Sequence, residues 1–264
     1  MSSETAQQGQ FGAQHTSART HPVIAIDGPA GAGKSTLAAH LARRFGFLNL
    51  ETGAMYRALA LKAIQNDFAF DDEAPLLALA EETRIDLAPH TEGNCVLLDG
   101  VDVSRRIREA DVTSAASQVS VHPHIRAWMV ERQRALGAGG GVVMEGRDIG
   151  TAVFPDAEVK IFLDAAPEVR GSRRFRQAAP GDLGDGRKEP VLASAGPGSE
   201  SEEERIARQA ILDEMRERDR RDRSRAESPL RAADDAVIID STAMTLDEVL
   251  ARAEAIVLAQ LPTA

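Results

Sequence analysis

A glycine-rich turn near the start of the chain constrains its fold more than any other feature. The turn has the pattern G-x-x-x-x-G-K-S from Gly28 to Ser35; it follows the apolar run VIAID at residues 23–27 and precedes a helical pattern. In such a turn successive backbone N–H groups converge on phosphate oxygens, and the N-terminus of the following helix adds positive potential. The chain is therefore expected to place a strand, this phosphate loop and a helix in direct succession.

The phosphate loop predicts a site for a purine nucleoside triphosphate with Mg²⁺. Lys34 would supply a point charge to the phosphates, and the hydroxyl of Ser35 would be a ligand of the metal ion. The residues expected to contact the nucleotide are Gly28, Pro29, Ala30, Gly31, Ala32, Gly33, Lys34, Ser35 and Thr36. Motors, switches and kinases all use such a loop. A guanine-specific switch also needs an NKxD element, and no Asn-Lys pair occurs in this sequence.

Five short apolar runs predict the strands of a parallel sheet. They are continuous rather than alternating, as in strands that are buried on both faces. The runs are VIAID (23–27), FLNL (47–50), GVVMEG (141–146), VKIFLD (159–164) and AVIID (236–240). After the first run, Leu37, Leu41 and Phe45 recur at helical spacing. This alternation indicates an α/β fold in three layers, α/β/α, around a central five-stranded parallel sheet.

Three segments depart from the alternation of strand and helix. Residues 94–104, NCVLLDGVDVS, predict two short strands joined at Asp99-Gly100, a hairpin that does not belong to a parallel sheet, so residues 66–115 are interpreted as an insertion. Residues 178–204 are rich in glycine and proline and poor in apolar side chains, which predicts a flexible loop. Residues 1–21 are polar and are interpreted as a disordered tail.

Composition argues against several classes of function. The formal net charge is −10 and no long basic stripe offsets it, so nucleic acid is not an expected ligand. The single Cys95 excludes an internal disulfide, and no clustered Cys/His spacing predicts zinc. No apolar run is long enough to span a membrane, and the first residues lack the apolar stretch of a secretion signal. We therefore expect a cytoplasmic protein whose ligands are small molecules.

The charged run RERDRRDRSR at residues 216–225 predicts a helix with two different faces. Spacings of four, three, four and three place five residues on one face: Ile211, Met215, Arg218, Asp222 and Arg225. If the apolar pair faces the core, the charged triad also faces inward, where unpaired ions are costly. Its surplus of positive charge suits a polar or anionic ligand, whereas Arg216, Arg220 and Arg223 point elsewhere as surface residues.

Two further segments complete a resemblance to a known family. TGAMYRAL (52–59) places Arg57 in a helix after the second strand, and EGRD (145–148) puts Glu145, Arg147 and Asp148 at the end of a strand, where sites in open α/β sheets lie. Together with IDGPAGAGK, ASQVS, RDRRDRSR and DSTAMTLDEV, these blocks resemble bacterial cytidylate kinase, of the nucleoside monophosphate (NMP) kinase group. The resemblance extends from Val23 to about Leu261.

The resemblance implies ATP-dependent phosphorylation of CMP and dCMP, with UMP usually a poorer substrate, in pyrimidine nucleotide metabolism. Lys34, Arg173 and Arg174 match residues that act on the transferred phosphoryl group, the two arginines as part of a lid. The positions that match the acceptor site are Thr52, Arg57, Ser117, Arg126, Arg147, Asp148, Arg218, Asp222 and Arg225.

Within that acceptor site the resemblance assigns separate roles. Arg57 and Arg147 resemble the clamp on the acceptor phosphate, and Ser117, Arg126 and Asp148 resemble the residues that read the cytosine edge. The triad on the charged helix matches positions near the sugar and base.

The resemblance also implies a division of the chain. Its parts are the tail (1–21), an NMP-binding insertion (66–115), a lid with its flexible loop (173–204) and a core made of residues 22–65, 116–172 and 205–264. No obligate protein partner is evident. Two alternatives stay open. Ser117, Arg126, Arg173 and Arg174 could have ordinary packing or surface roles, and the chain could be another small-molecule kinase that acts on shikimate, UMP or AMP.

Overall fold

The central sheet carries the phosphate loop at the end of its middle strand. The computed structural model describes residues 19–90, 93–178 and 201–261. Five parallel strands form this sheet: β1 (Val23–Asp27), β2 (Leu48–Glu51), β6 (Val142–Gly146), β7 (Val159–Asp164) and β8 (Val237–Asp240). Their order is β2-β6-β1-β7-β8. All five predicted runs are confirmed as strands of one parallel sheet, and the predicted fold class is confirmed with them.

Helices cover both faces of the sheet. They are α1 (Lys34–Phe45), α2 (Thr52–Gln65), α3 (Glu73–Glu82), α4 (Ala110–Val119), α5 (Pro123–Gly137), α6 (Pro167–Ala178), α7 (Glu202–Ser224) and α8 (Leu246–Gln260). Ile24 and Ile26 of β1 pack with α1 and α8 in one apolar cluster, whereas Val23 and Ala25 pack with α2, α4 and α5 in another. Alternate residues of one strand therefore support two helical layers, as three-layer packing requires.

The two edge strands differ from the expectation of burial on both faces. Leu48 in β2 is 46% exposed and Ile238 in β8 is 55% exposed, whereas β1 and β6 are buried throughout. A continuous apolar run looks the same in an edge strand and in a central strand, so the sequence pattern did not separate the two cases.

A second, antiparallel sheet of order β3-β4-β5 lies in the predicted insertion. It consists of β3 (Ile85–His90), β4 (Gly93–Leu98) and β5 (Val101–Asp102). The predicted hairpin is confirmed as β4 and β5, and its turn has positive φ at both central residues, 51° at Asp99 and 84° at Gly100. This is the geometry of the Asp-Gly hairpin turn. The sequence analysis missed β3, which contains Pro89 and forms an edge of the sheet, where a proline is tolerated.

Several predicted boundaries fall inside helices. The limits at 115, 172 and 204 interrupt α4, α6 and α7. The prediction of a flexible loop up to residue 204 is wrong at its C-terminal end, because α7 begins there. The Ser201 hydroxyl accepts a hydrogen bond from the Glu204 N–H in a capping box that starts this helix. Residues 1–18 of the predicted tail and 179–200 of the predicted lid lie outside the described residues. Arg19, which was assigned to the tail, donates bonds to Asp156 and Glu158. Within the described ranges, no helix is both long and apolar enough to cross a bilayer.

The turn at Gly100 provides a test of the hairpin geometry. A Cβ added at Gly100 would meet nothing within 4 Å, so the effect of Gly100→Ala comes from its φ of 84° alone. We expect Gly100→Ala to lower the free energy of unfolding by about 1 kcal/mol, because an L-residue is strained in the left-handed region. Denaturant unfolding followed by circular dichroism measures this change.

The matched control is Gly139→Ala. Gly139 also has open space around the added Cβ but does not have a positive φ. The control should leave stability unchanged or slightly raised, since alanine reduces the freedom of the unfolded chain. Equal effects of the two substitutions would contradict the assigned turn.

Candidate active site

The phosphate loop joins the end of β1 to the start of α1 along a path that requires glycine. Gly28 has a φ of +149°, and a Cβ added there would lie 2.0 Å from the carbonyl oxygen of Leu163 in β7. The loop therefore passes directly over the neighbouring strand, and any side chain at Gly28 would displace it. Ser35 and Thr36 are exposed in the first turn of α1, where N–H groups are open to an anion.

Lys34 lies within the loop that it is predicted to serve. Its ammonium donates a 2.8 Å hydrogen bond to the carbonyl oxygen of Pro29. Burial, together with the positive charges of Arg147 and Arg218, lowers the pKa of Lys34 to about 7. The proximity of these cations shows that the phosphate loop and the predicted acceptor residues share one electrostatic environment.

Glu145, at the end of β6, connects the phosphate loop to the start of α2. The Ser35 hydroxyl donates a hydrogen bond to the Glu145 carboxylate. The Thr52 hydroxyl donates to the Glu145 backbone carbonyl at 2.8 Å. Burial and the negative charge of Glu51 raise the pKa of Glu145. The pair of hard oxygen donors at this corner, the Ser35 hydroxyl and the Glu145 carboxylate, fits Mg²⁺, which binds proteins through one or two such groups and completes its shell with phosphates and water.

Five arginines, Arg147 among them, lie together with three carboxylates. We call this group the acceptor cluster, and it consists of Arg57, Arg126, Arg147, Arg218 and Arg225 with the carboxylates of Glu51, Asp148 and Asp222. Every carboxylate in the cluster contacts at least one arginine. Five guanidinium groups against three carboxylates leave positive charge in surplus. Such a site is suited to an anionic ligand.

Arg57 is held at the edge of the cluster by Glu51. The Arg57 guanidinium donates a 2.5 Å bond to one oxygen of Glu51, and Arg108 donates to the other at 3.3 Å. Burial alone would raise the pKa of Glu51, but the two arginines hold it below its ordinary value. The sequence analysis identified Arg57 but missed Arg108, because Arg108 comes from the insertion and meets Glu51 only through tertiary packing.

Arg126 and Asp148 form a buried ion pair deeper in the cluster. Arg126 also donates to the Ser120 carbonyl at 3.3 Å, and the Ser120 hydroxyl donates to the Ser117 carbonyl. The Ser117 hydroxyl and the Arg126 Nε are buried, and neither has a hydrogen-bond partner among the described residues. Buried polar groups normally have a hydrogen-bond partner. This corner can therefore accept a ligand with polar edges.

The structure turns the charged triad inward as the helical wheel predicted, although α7 ends at Ser224 and Arg225 follows it as the C-cap residue. Asp222 and Arg225 are buried and Arg218 is half-buried, whereas Arg216 and Arg220 are exposed. Arg223 is exposed as well. The inward orientation of the triad is therefore confirmed, and its role in binding stays a prediction.

Asp222 organises this part of the cluster. Its carboxylate accepts a 2.9 Å bond from Arg147 and lies 3.6 Å from Arg225. Burial would raise the pKa of Asp222, but these arginines and Arg218 lower it. Burial and the charge of Arg147 in turn lower the pKa of Arg218 to about 10. Arg147 thus pairs with Asp222, not with its neighbour Asp148.

The two predicted lid arginines occupy different environments. Arg173 is half-buried; it donates to the Ala32 carbonyl of the phosphate loop at 3.3 Å and to the Ser241 carbonyl at 3.0 Å. Arg174 is exposed, and its charge contributes to the lowered pKa of Arg218. The charge of Arg174 therefore acts on the acceptor cluster, whereas Arg173 contacts the phosphate loop. Their predicted catalytic roles stay predictions.

Sequence reasoning missed two groups that tie the site together. Asp27, the last residue of β1, accepts 2.8 Å bonds from the N–H groups of Ile149 and Gly150, directly after Asp148. Burial raises the pKa of Asp27 to about 7. Tyr56 in α2 has a pKa raised to about 12, mainly by burial, and it lies in the field of Arg126, Asp148, Arg225 and Asp222. The sequence offered one indication for each residue, which is its position: Asp27 ends a predicted strand, and Tyr56 directly precedes Arg57.

Known proteins resemble this chain over most of its length. The family model for cytidylate kinase matches residues 24–194 and 198–258. Cytidylate kinase from Aeromonas salmonicida is 46% identical over 230 residues, which cover 87% of this chain and 91% of that protein. Cytidylate kinase from Pelotomaculum thermopropionicum is 47% identical over 231 residues, covering 87% and 92%.

One solved structure that aligns with this chain is much less similar in sequence. Shikimate kinase from Acinetobacter baumannii in complex with shikimate aligns over 93% of this chain and 97% of its own, with 15% identity and a TM-score of 0.39, which is too low to bear on function. The relatives found by sequence are about three times as similar, at 46% and 47% identity. The chain belongs to the cytidylate kinase family of nucleoside monophosphate kinases.

Proposed function

We propose that this chain transfers the γ-phosphate of ATP to CMP and dCMP in one in-line step, with Mg²⁺, to form CDP and dCDP. ATP-dependent phosphorylation of CMP is the activity of its family. The observation that carries the proposal is the position of β6. Glu145 in this strand contacts Ser35 of the donor side, and Arg147, two residues later, contacts Asp222 of the acceptor cluster. The two binding sites therefore adjoin at one strand end.

The donor side would bind the phosphates of ATP. N–H groups of the phosphate loop and the ammonium of Lys34 are placed to hold them, and the Ser35 hydroxyl with the Glu145 carboxylate would hold Mg²⁺, which supplies charge neutralisation at the phosphates. Arg174, whose charge acts on Arg218, would contact the transferred group. No residue in these roles needs to form a covalent intermediate.

The acceptor side would bind the nucleoside monophosphate. Arg57 and Arg147 clamp its phosphate, and the surplus positive charge of the acceptor cluster offsets the phosphate's charge. The second pKa of a phosphate monoester is about 6, so the attacking oxygen is already ionised at neutral pH and no general base is required. Catalysis then consists of bringing two polyanions into line and stabilising their charge.

Base selection would come from the buried corner of Ser117, Arg126 and Asp148. Cytosine presents an exocyclic amine where uracil presents a carbonyl oxygen, so the acceptor oxygens of Asp148 favour cytosine and repel uracil.

We also place the reaction in the cytoplasm with small molecules as its partners. A chain with one cysteine and a net charge of −10 suits a reducing compartment and gives no support for nucleic acid as a ligand.

The acceptor preference tests this function directly. With ATP and Mg²⁺, the purified full chain should convert CMP and dCMP faster than UMP, AMP, GMP or shikimate, measured by ADP release and by chromatography of the products. Lys34→Met should lower kcat by a factor of about 100 or more, because it removes a charge that stabilises the transition state. Absence of CDP formation by the wild-type protein, or faster reaction with shikimate, would refute the proposal.

Asp148 is predicted to control the choice between CMP and UMP. Asp148→Asn keeps the size of the side chain but offers an amide that can donate to uracil. The ratio of kcat/KM for CMP to that for UMP should fall by about tenfold, while UMP turnover changes little. Asp111→Asn is the control, since Asp111 is an exposed partner of Arg106 at 2.6 Å, and it should leave the ratio unchanged. An equal loss on both substrates in Asp148→Asn would exclude a role in base selection.

ATP binding is predicted to draw a proton onto Lys34 above neutral pH. The pKa of Lys34 is lowered to about 7 in the free protein by burial and Arg147, and bound phosphates would raise it because an anion stabilises the ammonium. Above about pH 7 the complex then holds more protons than the free protein, so ATP affinity falls as pH rises through this window. Calorimetry in buffers of different ionisation enthalpy measures the uptake.

The control for proton uptake is Lys34→Arg. A guanidinium stays protonated throughout this pH range, so the variant reports the titration of ATP itself. Subtracting its proton uptake from that of the wild type isolates Lys34. Equal uptake by the two proteins would contradict the prediction.

A further inference from the structure

Arg170, which the sequence analysis did not single out, joins three elements beside the phosphate loop. It lies in α6, is 2% exposed, and its guanidinium donates in three directions. Nη1 donates to the Ala30 carbonyl in the phosphate loop at 2.9 Å, Nη2 donates to the Asp219 carboxylate in α7 at 2.6 Å, and Nε donates to the Ala165 carbonyl after β7 at 2.8 Å. One planar group thus fixes the loop, the helix and the strand end relative to one another.

The contact between this group and the phosphate loop is close. A Cβ added at Gly31, where φ is +73°, would lie 2.8 Å from the Met215 side chain of α7 and 3.3 Å from the Arg170 Cβ. The side chains of α6 and α7 therefore pack directly against the loop at Gly31. Because Arg170 binds the Ala30 carbonyl from that side, the same peptide is held with its carbonyl turned toward α6.

The pair of Arg170 and Asp219 is a poor source of stability. Both residues are buried, and the second oxygen of Asp219, Oδ1, has no hydrogen-bond partner among the described residues. Replacing such a buried ion pair by apolar side chains is often neutral or stabilising. A guanidinium differs from an apolar residue in that it fixes direction and distance to three acceptors at once. Geometry is therefore the property that the pair contributes.

Asp219 and the acceptor residues belong to one helix. Asp219 directly follows Arg218 and precedes Asp222 by three residues in α7. We infer that Arg170 is a positioning residue for phosphoryl transfer: through Ala30 and Asp219 it sets the position of the ATP phosphates relative to the acceptor residues of α7. This inference rests on the proposed function, because it assigns donor and acceptor to the two sites.

The test compares turnover with stability in variants of the full chain. The double variant Arg170→Met/Asp219→Leu should unfold cooperatively like the wild type, whereas Arg170→Met alone should be less stable, because it leaves the Asp219 carboxylate buried without its partner. Their kcat at saturating ATP and CMP should nevertheless fall by about 10- to 100-fold, since a misplacement of about 1 Å is enough for such a loss. KM for CMP should stay within about threefold of the wild type, because the residues that contact CMP remain. Asp219→Asn keeps an oxygen acceptor for Arg170, so its kcat should stay within about threefold of the wild-type value.

The surface pair of Arg216 and Glu168 supplies the matched control. It also joins α7 to α6, at 3.0 Å, but both side chains are at least half exposed. Arg216→Met should leave kcat within about twofold of the wild type, as expected for an exposed ion pair. A loss in Arg216→Met as large as that in Arg170→Met would show that helix docking alone matters, and would overturn the inference.

Two other results would also overturn it. One is a folded double variant with wild-type kcat, and the other is a rise in KM with kcat unchanged. If Arg170→Met does not fold, Arg170→Lys decides, because it keeps the charge but one ammonium cannot reproduce the three-way fork; wild-type kcat in Arg170→Lys would then refute the inference. A wild-type protein that fails to make CDP refutes the proposed function, whereas an active wild type with insensitive Arg170 variants refutes only this inference.

Discussion

Holding several arginines in a partly buried site is the constraint on which the rest of this structure depends. A guanidinium withdrawn from water is costly unless a carboxylate or a ligand compensates it. Glu51, Asp148 and Asp222 provide that compensation, but they are fewer than the arginines around them. In the proposed function, the remaining positive charge also attracts the phosphate monoester. The excess of arginines over carboxylates therefore affects two quantities. It lowers the stability of the free protein and raises the affinity for an anion, and each carboxylate acts against both effects.

Parallel pairing brings these charges together. In the register of the sheet Ile26 lies opposite Glu145 and Asp27 lies opposite Gly146, so β1 and β6 end at the same level. The phosphate loop leaves one strand where the residues that lead to Arg147 leave the other. Asp27 strengthens this arrangement, because its carboxylate accepts N–H groups from the turn after β6. The proposed donor and acceptor sites adjoin because two central strands end together, and no long connection is needed to bring them close.

Local patterns predicted what depends on local sequence. The phosphate loop, the five strands, the Asp-Gly hairpin and the inward face of α7 each follow from spacing within a few residues. The pairs between distant segments were not predictable in this way, as Arg170 with Asp219 and Glu51 with Arg108 show. For Asp219 a signal did exist. It lies four residues after Met215 and so about 40° from it around the helix, but the wheel followed only the arginine-rich side of the stripe.

In the proposed reaction, α7 is a rigid spacer between the donor site and the acceptor site. Asp219 and Asp222 are three residues apart, which corresponds to about 4.5 Å along the helix axis and about 60° around it. The first carboxylate meets Arg170, which holds the phosphate loop, and the second meets Arg147, which belongs to the acceptor cluster. A helix changes these spacings far less than a loop would. The distance between donor and acceptor can therefore be fixed by backbone hydrogen bonds within one helix, and the ion pairs at its two carboxylates transmit that distance to the ligands.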